Sequence, residues 1–248
     1  HQIAHCAIDG QSSFPEPGHV ERDLSELWEN GCAAIREVIA RSGVDPTRIL
    51  GLGCAGHGNG LYLLDRAFQP LKGIQSLDSR AADIAAELDS ENGEALQARC
   101  LQRPWPSQTP SLLAWIKRHA PESYAQIGAV LFCKDFINFR LTERLANDIS
   151  DLSGAGLLAM PEGGVAPDCE LFVRQRVAFQ RVGLCDQTVD HGLDHHGSRQ
   201  GTLSDVDRLA TAQFARCLGH LAVDLDAPFV NVVGGQAARL VETRSPEP

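Results

Sequence analysis

The most informative part of the chain is Ile49-Leu-Gly-Leu-Gly-Cys-Ala-Gly-His-Gly-Asn-Gly-Leu-Tyr-Leu-Leu-Asp65. Apolar segments at its two ends predict short strands, and the glycines between them predict a turn. Glycines at a strand end let the backbone approach a ligand closely and permit positive φ angles. Two polar side chains, His57 and Asn59, lie within this turn. The pattern is typical of a site for a small polar molecule and favours an enzyme over a structural module.

A second polar segment, Gln75-Ser-Leu-Asp-Ser-Arg-Ala81, follows the second predicted strand. It leads into a predicted helix over residues 78–88, with Asp78 or Ser79 as the N-cap. A neighbouring carboxylate and guanidinium, Asp78 and Arg80, can accept from and donate to adjacent hydroxyl groups of a polyol. The alternative is a helix cap beside an exposed helix charge, and the sequence leaves both interpretations open.

Strands and helices alternate over the first 160 residues, which predicts an α/β fold. Asp23 begins a helix as its N-cap, with Glu26 three residues later in a capping-box-like arrangement. Apolar periodicity predicts helices over 23–41, 107–119 and 135–141, and strands over 2–9, 49–52, 61–64, 129–132 and 228–233.

The bulk properties exclude several classes of protein. The 248 residues are 43% hydrophobic and 22% charged, as in ordinary globular proteins. A net charge of −10 argues against nucleic acid as a partner. No apolar run reaches the length of about 18 residues that a membrane helix needs, and the first residues lack the basic region of a signal peptide. The eight cysteines include no CxxC pair, so we expect reduced thiols in a cytoplasmic protein.

Four motifs occur in an order that resembles one family. They are Pro17-Gly-His-Val-Glu-Arg-Asp23 before a Trp-containing helix, Gly56-His-Gly-Asn-Gly60 with Leu61-Tyr-Leu-Leu-Asp65, Leu77-Asp-Ser-Arg-Ala81, and Lys134-Asp-Phe-Ile-Asn-Phe-Arg-Leu-Thr142 with Asn147-Asp-Ile-Ser-Asp-Leu-Ser-Gly154. In this order they resemble the N-terminal domain of the FGGY carbohydrate kinases of the actin/hexokinase superfamily. The glycine-rich variant is most similar to the polyol and ketose branch, such as erythritol and L-xylulose kinases.

The resemblance implies a fold and an activity. The expected fold is an α/β, ribonuclease-H-like domain with a mixed sheet over residues 1–160, followed by a connecting segment and a partial second domain over 161–248. The expected reaction is ATP-dependent phosphorylation of a small ketose or alditol with Mg²⁺, in which a carboxylate accepts the proton of the attacked hydroxyl. The expected partner is a small sugar or polyol, without nucleic acid or membrane, and a homodimer is left open.

The resemblance also implies substrate contacts by His57, Asn59, Asp78, Arg80 and Trp105, of which the first four are expected at one sheet edge facing a cleft. Each of these residues has an alternative role. His57 and Asn59 can be turn residues, Asp78 and Arg80 a helix cap and an exposed helix charge, and Trp105 a packing anchor.

Further residues are candidates for nucleotide binding, catalysis, helix capping or metal binding. Gly234 and Gly235 are candidates for nucleotide binding, although the stretch Asn231–Ala237 also matches the strand that leads to the family's general base. The catalytic residue itself stays unknown. Asp135 and Asp148 are predicted to be helix caps, and the His-rich stretch 186–196 is predicted to be solvated and not to bind a metal.

The sequence departs from the family in one respect. A phosphate loop of the DxGTT type is not found, so we expect a fragment, a truncated product or a chain with segments missing, inactive on its own. The main alternative is a non-catalytic sugar-binding or regulatory remnant of a kinase. A dinucleotide enzyme is disfavoured, because the GxGxxG run at Gly51–Gly56 leads to a strand and not to a helix.

Overall fold

The computed structural model describes residues 2–49, 51–160, 164–165, 229–233 and 237–241. The predicted nucleotide residues Gly234 and Gly235 and the His-rich stretch 186–196 lie outside these described residues.

Strands and helices alternate as the sequence predicts. The strands are β1 (Gln2–Ala7), β2 (Ser12–Ser13), β3 (Glu21–Arg22), β4 (Gly51–Ala55), β5 (Leu61–Asp65), β6 (Pro70–Ile74), β7 (Ile127–Leu131), β8 (Leu158–Ala159), β9 (Gly164–Val165), β10 (Phe229–Val233) and β11 (Ala237–Val241). The helices are α1 (Leu24–Ser42), α2 (Ala82–Cys100), α3 (Thr109–His119), α4 (Pro121–Gln126), α5 (Cys133–Thr142) and α6 (Ile149–Gly154), and a 3-10 turn covers Pro46–Arg48. Among these described helices, none is both long enough and apolar enough to cross a membrane.

The first sheet joins segments from both ends of the chain in the order β1-β11-β10-β4. Strands β10 and β4 are parallel, with Phe229 opposite Gly51 and Val233 opposite Ala55, while the other pairs are antiparallel. The predicted mixed sheet and α/β class are therefore confirmed. Two strands from the segment beyond residue 161 belong to this sheet, and the domain boundary near residue 160 stays a prediction.

The second sheet has the order β2-β3-β6-β5-β7 and is antiparallel. Strand β5 lies between β6 and β7 and is buried on both faces, since its first four side chains are all buried and successive side chains of a strand point to opposite sides. Leu61 and Leu63 pack in the apolar core that includes residues of α2 and α3. Tyr62 and Leu64 pack in another core with residues of α1 and α5. Tyr62 is thus a phenol held in an apolar layer.

Helix α1 packs against both sheets. Asp23 is its N-cap, as predicted, and its Oδ1 accepts a hydrogen bond from Glu26 N at 2.7 Å. Leu24 and Leu27 pack against the core around β5, while Ile35 and Val38 pack with residues of β1. This helix therefore connects the sheet that contains β4 with the sheet that contains β5.

Two predicted caps are wrong. Helix α2 begins at Ala82 with Ala81 at the N-cap and no side-chain cap, because the Asp78 carboxylate binds the backbone of Val20 and the Arg80 guanidinium instead. Helix α5 begins two residues before Asp135, which lies buried in the first turn. Asp148 is a cap as predicted, since its side chain accepts from Ser150 N.

Candidate functional site

The glycine turn, residues 56–60, connects β4 to β5 and contacts several other segments. Gly60 has φ +74°, its N–H donates to Ser107 O at 3.1 Å, and its carbonyl accepts from Thr109 Oγ1 at 3.0 Å. A Cβ on Gly60 would collide with the carbonyl oxygen of Ile74, at the end of β6. Glycine is required here because the φ angle is positive and no side chain would fit. The turn is therefore held between β6 and the start of α3.

Asn59 lies in the left-handed region with φ 60° and is 8% exposed. Asparagine tolerates this conformation better than most residues do. Its Nδ2 donates to the carbonyl of Gly154 at 3.3 Å, so the side chain is held by the end of α6. Its Oδ1 has no hydrogen-bond partner among the residues that the structure describes. A buried acceptor without a donor is costly, so a ligand hydroxyl that reached it would gain a favourable hydrogen bond.

His57 lies on the same turn with both ring nitrogens near protein oxygens. Nδ1 is 3.3 Å from the carbonyl oxygen of Gly58, and Nε2 is 2.8 Å from the hydroxyl of Tyr62. Burial lowers the pKa of His57, and the carbonyl of Gly58 offsets this only in part. The imidazole is therefore neutral at pH 7.

An ion pair at the starts of α5 and α6 lies against the turn. Lys134 Nζ is 2.9 Å from Asp151 Oδ2 and 3.6 Å from Asp148 Oδ2. A Cβ on Gly58 would lie 3.3 Å from Asp151 Oδ1. Burial alone would lower the pKa of Lys134, but the hydrogen bond and charge of Asp151 outweigh it and raise the pKa. The lysine is therefore a stable cation beside the glycine turn.

Asp135 is a buried carboxyl group close to this ion pair. It is 3% exposed, and its Oδ2 accepts from the backbone N–H of Asp148 at 3.3 Å. Burial raises its pKa to about 6, although the Asp148 N–H acts in the opposite direction. Sequence reasoning missed this role, because an Asp near a helix start looks like a cap and its burial depends on α6 packing against α5.

Asp78 and Arg80 form a buried cluster of their own. Asp78 Oδ2 accepts from Val20 N at 2.6 Å, and Asp78 Oδ1 accepts from Arg80 Nε at 2.9 Å. Arg80 Nη2 also donates to Glu21 at 2.8 Å, and the guanidinium lies 5.3 Å from the ring centre of Trp115. These groups bind one another and β3. Their contact with a sugar stays a prediction.

The remaining predicted residue, Trp105, lies just before α3 and is 37% exposed. Its carbonyl accepts from Gln108 N, next to the residues that hold Gly60. The loop of Trp105 and the loop that ends at Asp78 therefore both adjoin the glycine turn, the second through the contact of Gly60 with Gln75 and Ser76. Within the described ranges, no group of three or more His, Cys, Asp or Glu side chains could hold a metal ion.

Comparison with known proteins gives consistent matches. A sequence model for the N-terminal domain of the FGGY family of carbohydrate kinases matches residues 2–166. The L-xylulose/3-keto-L-gulonate kinase of Escherichia coli K12 is 38% identical over 164 residues, which are 65% of this chain and 32% of that protein. The probable L-xylulose kinase of Pasteurella multocida is 35% identical over 154 residues, 61% of this chain and 32% of that protein.

A solved structure agrees with these matches. The xylulose kinase of Rhodospirillum rubrum superposes with a TM-score of 0.63 at 29% identity, and the match covers 67% of this chain and 34% of that one. The chain thus spans about a third of the length of the relatives that it matches.

Proposed function

The chain belongs to the FGGY family of carbohydrate kinases, and from this premise we propose that its described domain binds a small ketose or polyol that is phosphorylated with ATP. Two of the similar proteins are named as L-xylulose kinases. A five-carbon ketose is therefore the first substrate to test.

The observation on which this proposal depends is the Oδ1 atom of Asn59. Sugars offer many hydroxyl donors, and a side-chain carbonyl that is held in place but lacks a donor is suited to accept from one of them. The bond from Asn59 Nδ2 to Gly154 orients the amide, so Oδ1 and not Nδ2 is left for the ligand. We assign the main sugar contact to Asn59, with His57 beside it and Trp105 as an aromatic wall.

Asp78 and Arg80 have a different role in this proposal. Their polar atoms hold the segment that precedes α2 against β3. Because Gly60 packs against Gln75 and Ser76 in the same segment, the Asp78–Arg80 cluster supports the turn from one side. A direct contact of either side chain with the sugar is the alternative that the sequence analysis predicts.

The nucleotide and the proton acceptor are not assigned to described residues. Phosphoryl transfer from ATP requires groups that stabilise the phosphates, usually with Mg²⁺, and a base for the attacked hydroxyl. The described residues offer no group of side chains that fits a metal ion. Asp135 is buried close to the Lys134–Asp151 ion pair and is not proposed as the base.

Sugar binding tests the proposal directly. Isothermal titration of the 248-residue chain with L-xylulose, D-xylulose, erythritol and glycerol should detect binding of at least one of the first three. The variant Asn59→Gly, which keeps the turn conformation but removes Oδ1, should bind that ligand at least tenfold more weakly, since the ligand then loses a buried hydrogen bond. Equal binding by this variant, or no binding of any sugar by the wild type, would overturn the assignment.

We further propose that this 248-residue polypeptide is inactive as a kinase on its own. The supporting observation is that it corresponds to only about a third of the length of its relatives. A coupled assay for ADP over the same sugars should show turnover well below roughly 1 per second, the low end for kinases. Sugar binding without turnover would favour the non-catalytic sugar-binding alternative for this polypeptide, and turnover at a kinase-like rate would exclude it.

The cellular setting is also a proposal. The five cysteines that are assigned as free thiols, Cys6, Cys32, Cys54, Cys100 and Cys133, fit a reducing compartment such as the cytoplasm. A homodimer remains a prediction.

A further inference from the structure

Tyr62 is a buried phenol directly beneath the glycine turn. It lies in strand β5 at 1% exposure, and its ring packs 6.3 Å from that of Phe136. Its hydroxyl is 2.8 Å from Nε2 of His57. A buried phenol needs a hydrogen-bond partner, and here that partner belongs to a residue of the turn.

The geometry assigns the direction of each hydrogen bond around His57. The carbonyl oxygen of Gly58 can only accept, so the His57 Nδ1 atom that faces it must bear the ring proton. In a neutral imidazole the other nitrogen, Nε2, is then an acceptor. The Tyr62 hydroxyl therefore donates to Nε2. With both nitrogens engaged, the imidazole has no free polar atom for a ligand.

Cys133 lies against the same groups. Burial raises the pKa of its thiol, and the neighbouring Tyr62 hydroxyl and His57 backbone act in the opposite direction. Gly56 permits this approach, because a Cβ at that position would lie 2.9 Å from the Cβ of Cys133. Tyr62, His57 and Gly58 thus form a continuous series of donors and acceptors, with Cys133 beside it.

We propose that Tyr62 is a positioning residue for the sugar site, holding His57 in its Nδ1-protonated neutral form so that His57 braces the turn and leaves hydrogen bonding to Asn59. The link between Tyr62 and sugar binding rests on the proposed function. The protonation state of His57 does not depend on it. The hydroxyl of Tyr62 stabilises the neutral ring, and the ring in turn holds the Gly58 carbonyl next to Asn59. Tyr62 itself does not touch the sugar.

Side-chain ¹⁵N NMR of the full chain tests the state of His57. One histidine signal should show the neutral Nδ1–H tautomer at pH 7, and this signal should be absent in His57→Gln, which assigns it. An Nε2–H tautomer for that signal would overturn the proposal.

The variant Tyr62→Phe keeps the ring in the core and removes only the hydroxyl. Without a donor to Nε2, His57 should become a mixture of tautomers, and its pKa should rise toward the ordinary value of about 6.5. Thermal unfolding followed by circular dichroism verifies that the variant is folded. A His57 tautomer and pKa identical to those of the wild type would refute the assigned role.

L-xylulose titration separates this inference from the proposed function. Tyr62→Phe should weaken binding about fivefold, as expected for the loss of one neutral hydrogen bond, and by less than Asn59→Gly does. Undiminished affinity in Tyr62→Phe would contradict the positioning role. If the wild type binds no sugar at all, the proposed function fails, and the NMR result alone still decides whether Tyr62 sets the state of His57.

Discussion

Two polar clusters lie near the same glycine turn, and they differ in how completely their atoms are paired. In the Asp78–Arg80 cluster, both carboxylate oxygens of Asp78 accept hydrogen bonds, and the guanidinium of Arg80 is shared between Asp78 and Glu21. In the turn, Asn59 Oδ1 is buried and has no donor among the described residues. A fully paired cluster stabilises the fold, whereas a held but unpaired acceptor is a place where a ligand can add a bond.

Removal of the Asp78 carboxylate should have the largest effect. Asp78→Ala leaves the buried Arg80 with only Glu21 as a charge partner, and we expect the free energy of unfolding to fall by about 3 kcal/mol. Urea unfolding of the variant and the wild type measures the difference. A loss no greater than that of an exposed ion pair would show that the cluster does not stabilise the fold.

The conservative variant Asp78→Asn sharpens the same comparison. If the cluster is only structural, the folded variant should bind sugar as the wild type does. Weaker binding by a variant that is as stable as the wild type would instead favour the direct sugar contact that the sequence predicts.

Asp135 should make stability depend on pH. Its pKa is raised to about 6 by burial, above the value of about 3.9 in an unfolded chain. Between these values the folded protein binds a proton that the unfolded chain does not, so this group stabilises the fold as pH falls from 7 to 4.5 and destabilises it as pH rises. Relative to Asp135→Asn, the free energy of unfolding of the wild type should rise by about 2 kcal/mol as the pH falls from 7 to 4.5. Urea unfolding at several pH values checks this, and a constant difference would contradict it.

Substitution of Asn59 should separate binding from stability. Asn59→Gly removes Oδ1 and the Nδ2 hydrogen bond to Gly154 but suits the left-handed backbone, so sugar affinity should fall at least tenfold and stability by about 1 kcal/mol, the value of one hydrogen bond. Asn59→Ala removes the same groups and also strains the backbone, at a further cost of about 1 kcal/mol in stability. If both variants lose the same stability, backbone conformation is not the reason for Asn at this position.

The smallest effect is expected for the exposed pair Glu87–Arg118, whose atoms are 2.7 Å apart. Exposed ion pairs are screened by water and salt, so Glu87→Ala should leave the unfolding midpoint unchanged. The variant is the matched control for Asp78→Ala, because both remove one carboxylate from an arginine. A large loss of stability in Glu87→Ala would show that the stabilisation by such an ion pair depends on the pairing alone and not on its burial.

Much of the fold was predictable because its signals are local. The cap of Asp23 on α1 and the apolar strand β5 depend on residues within a few positions of each other, and both are confirmed. Strand β6 escaped prediction, because Pro70-Leu-Lys-Gly-Ile74 has no regular alternation and owes its conformation to pairing with β3 and β5.

The sequence by itself determined the family and the position of the glycine turn with His57 and Asn59, since ordered motifs and glycine spacing are properties of the chain. Only the tertiary structure decided how the polar groups pair. Asp78 bonds to Val20, Asp135 to Asp148 and Tyr62 to His57. Two of these pairs join residues that are 58 and 13 positions apart in the chain, and all three depend on burial. The partner of each group and the exclusion of water from it are properties of packing, which no short stretch of sequence contains.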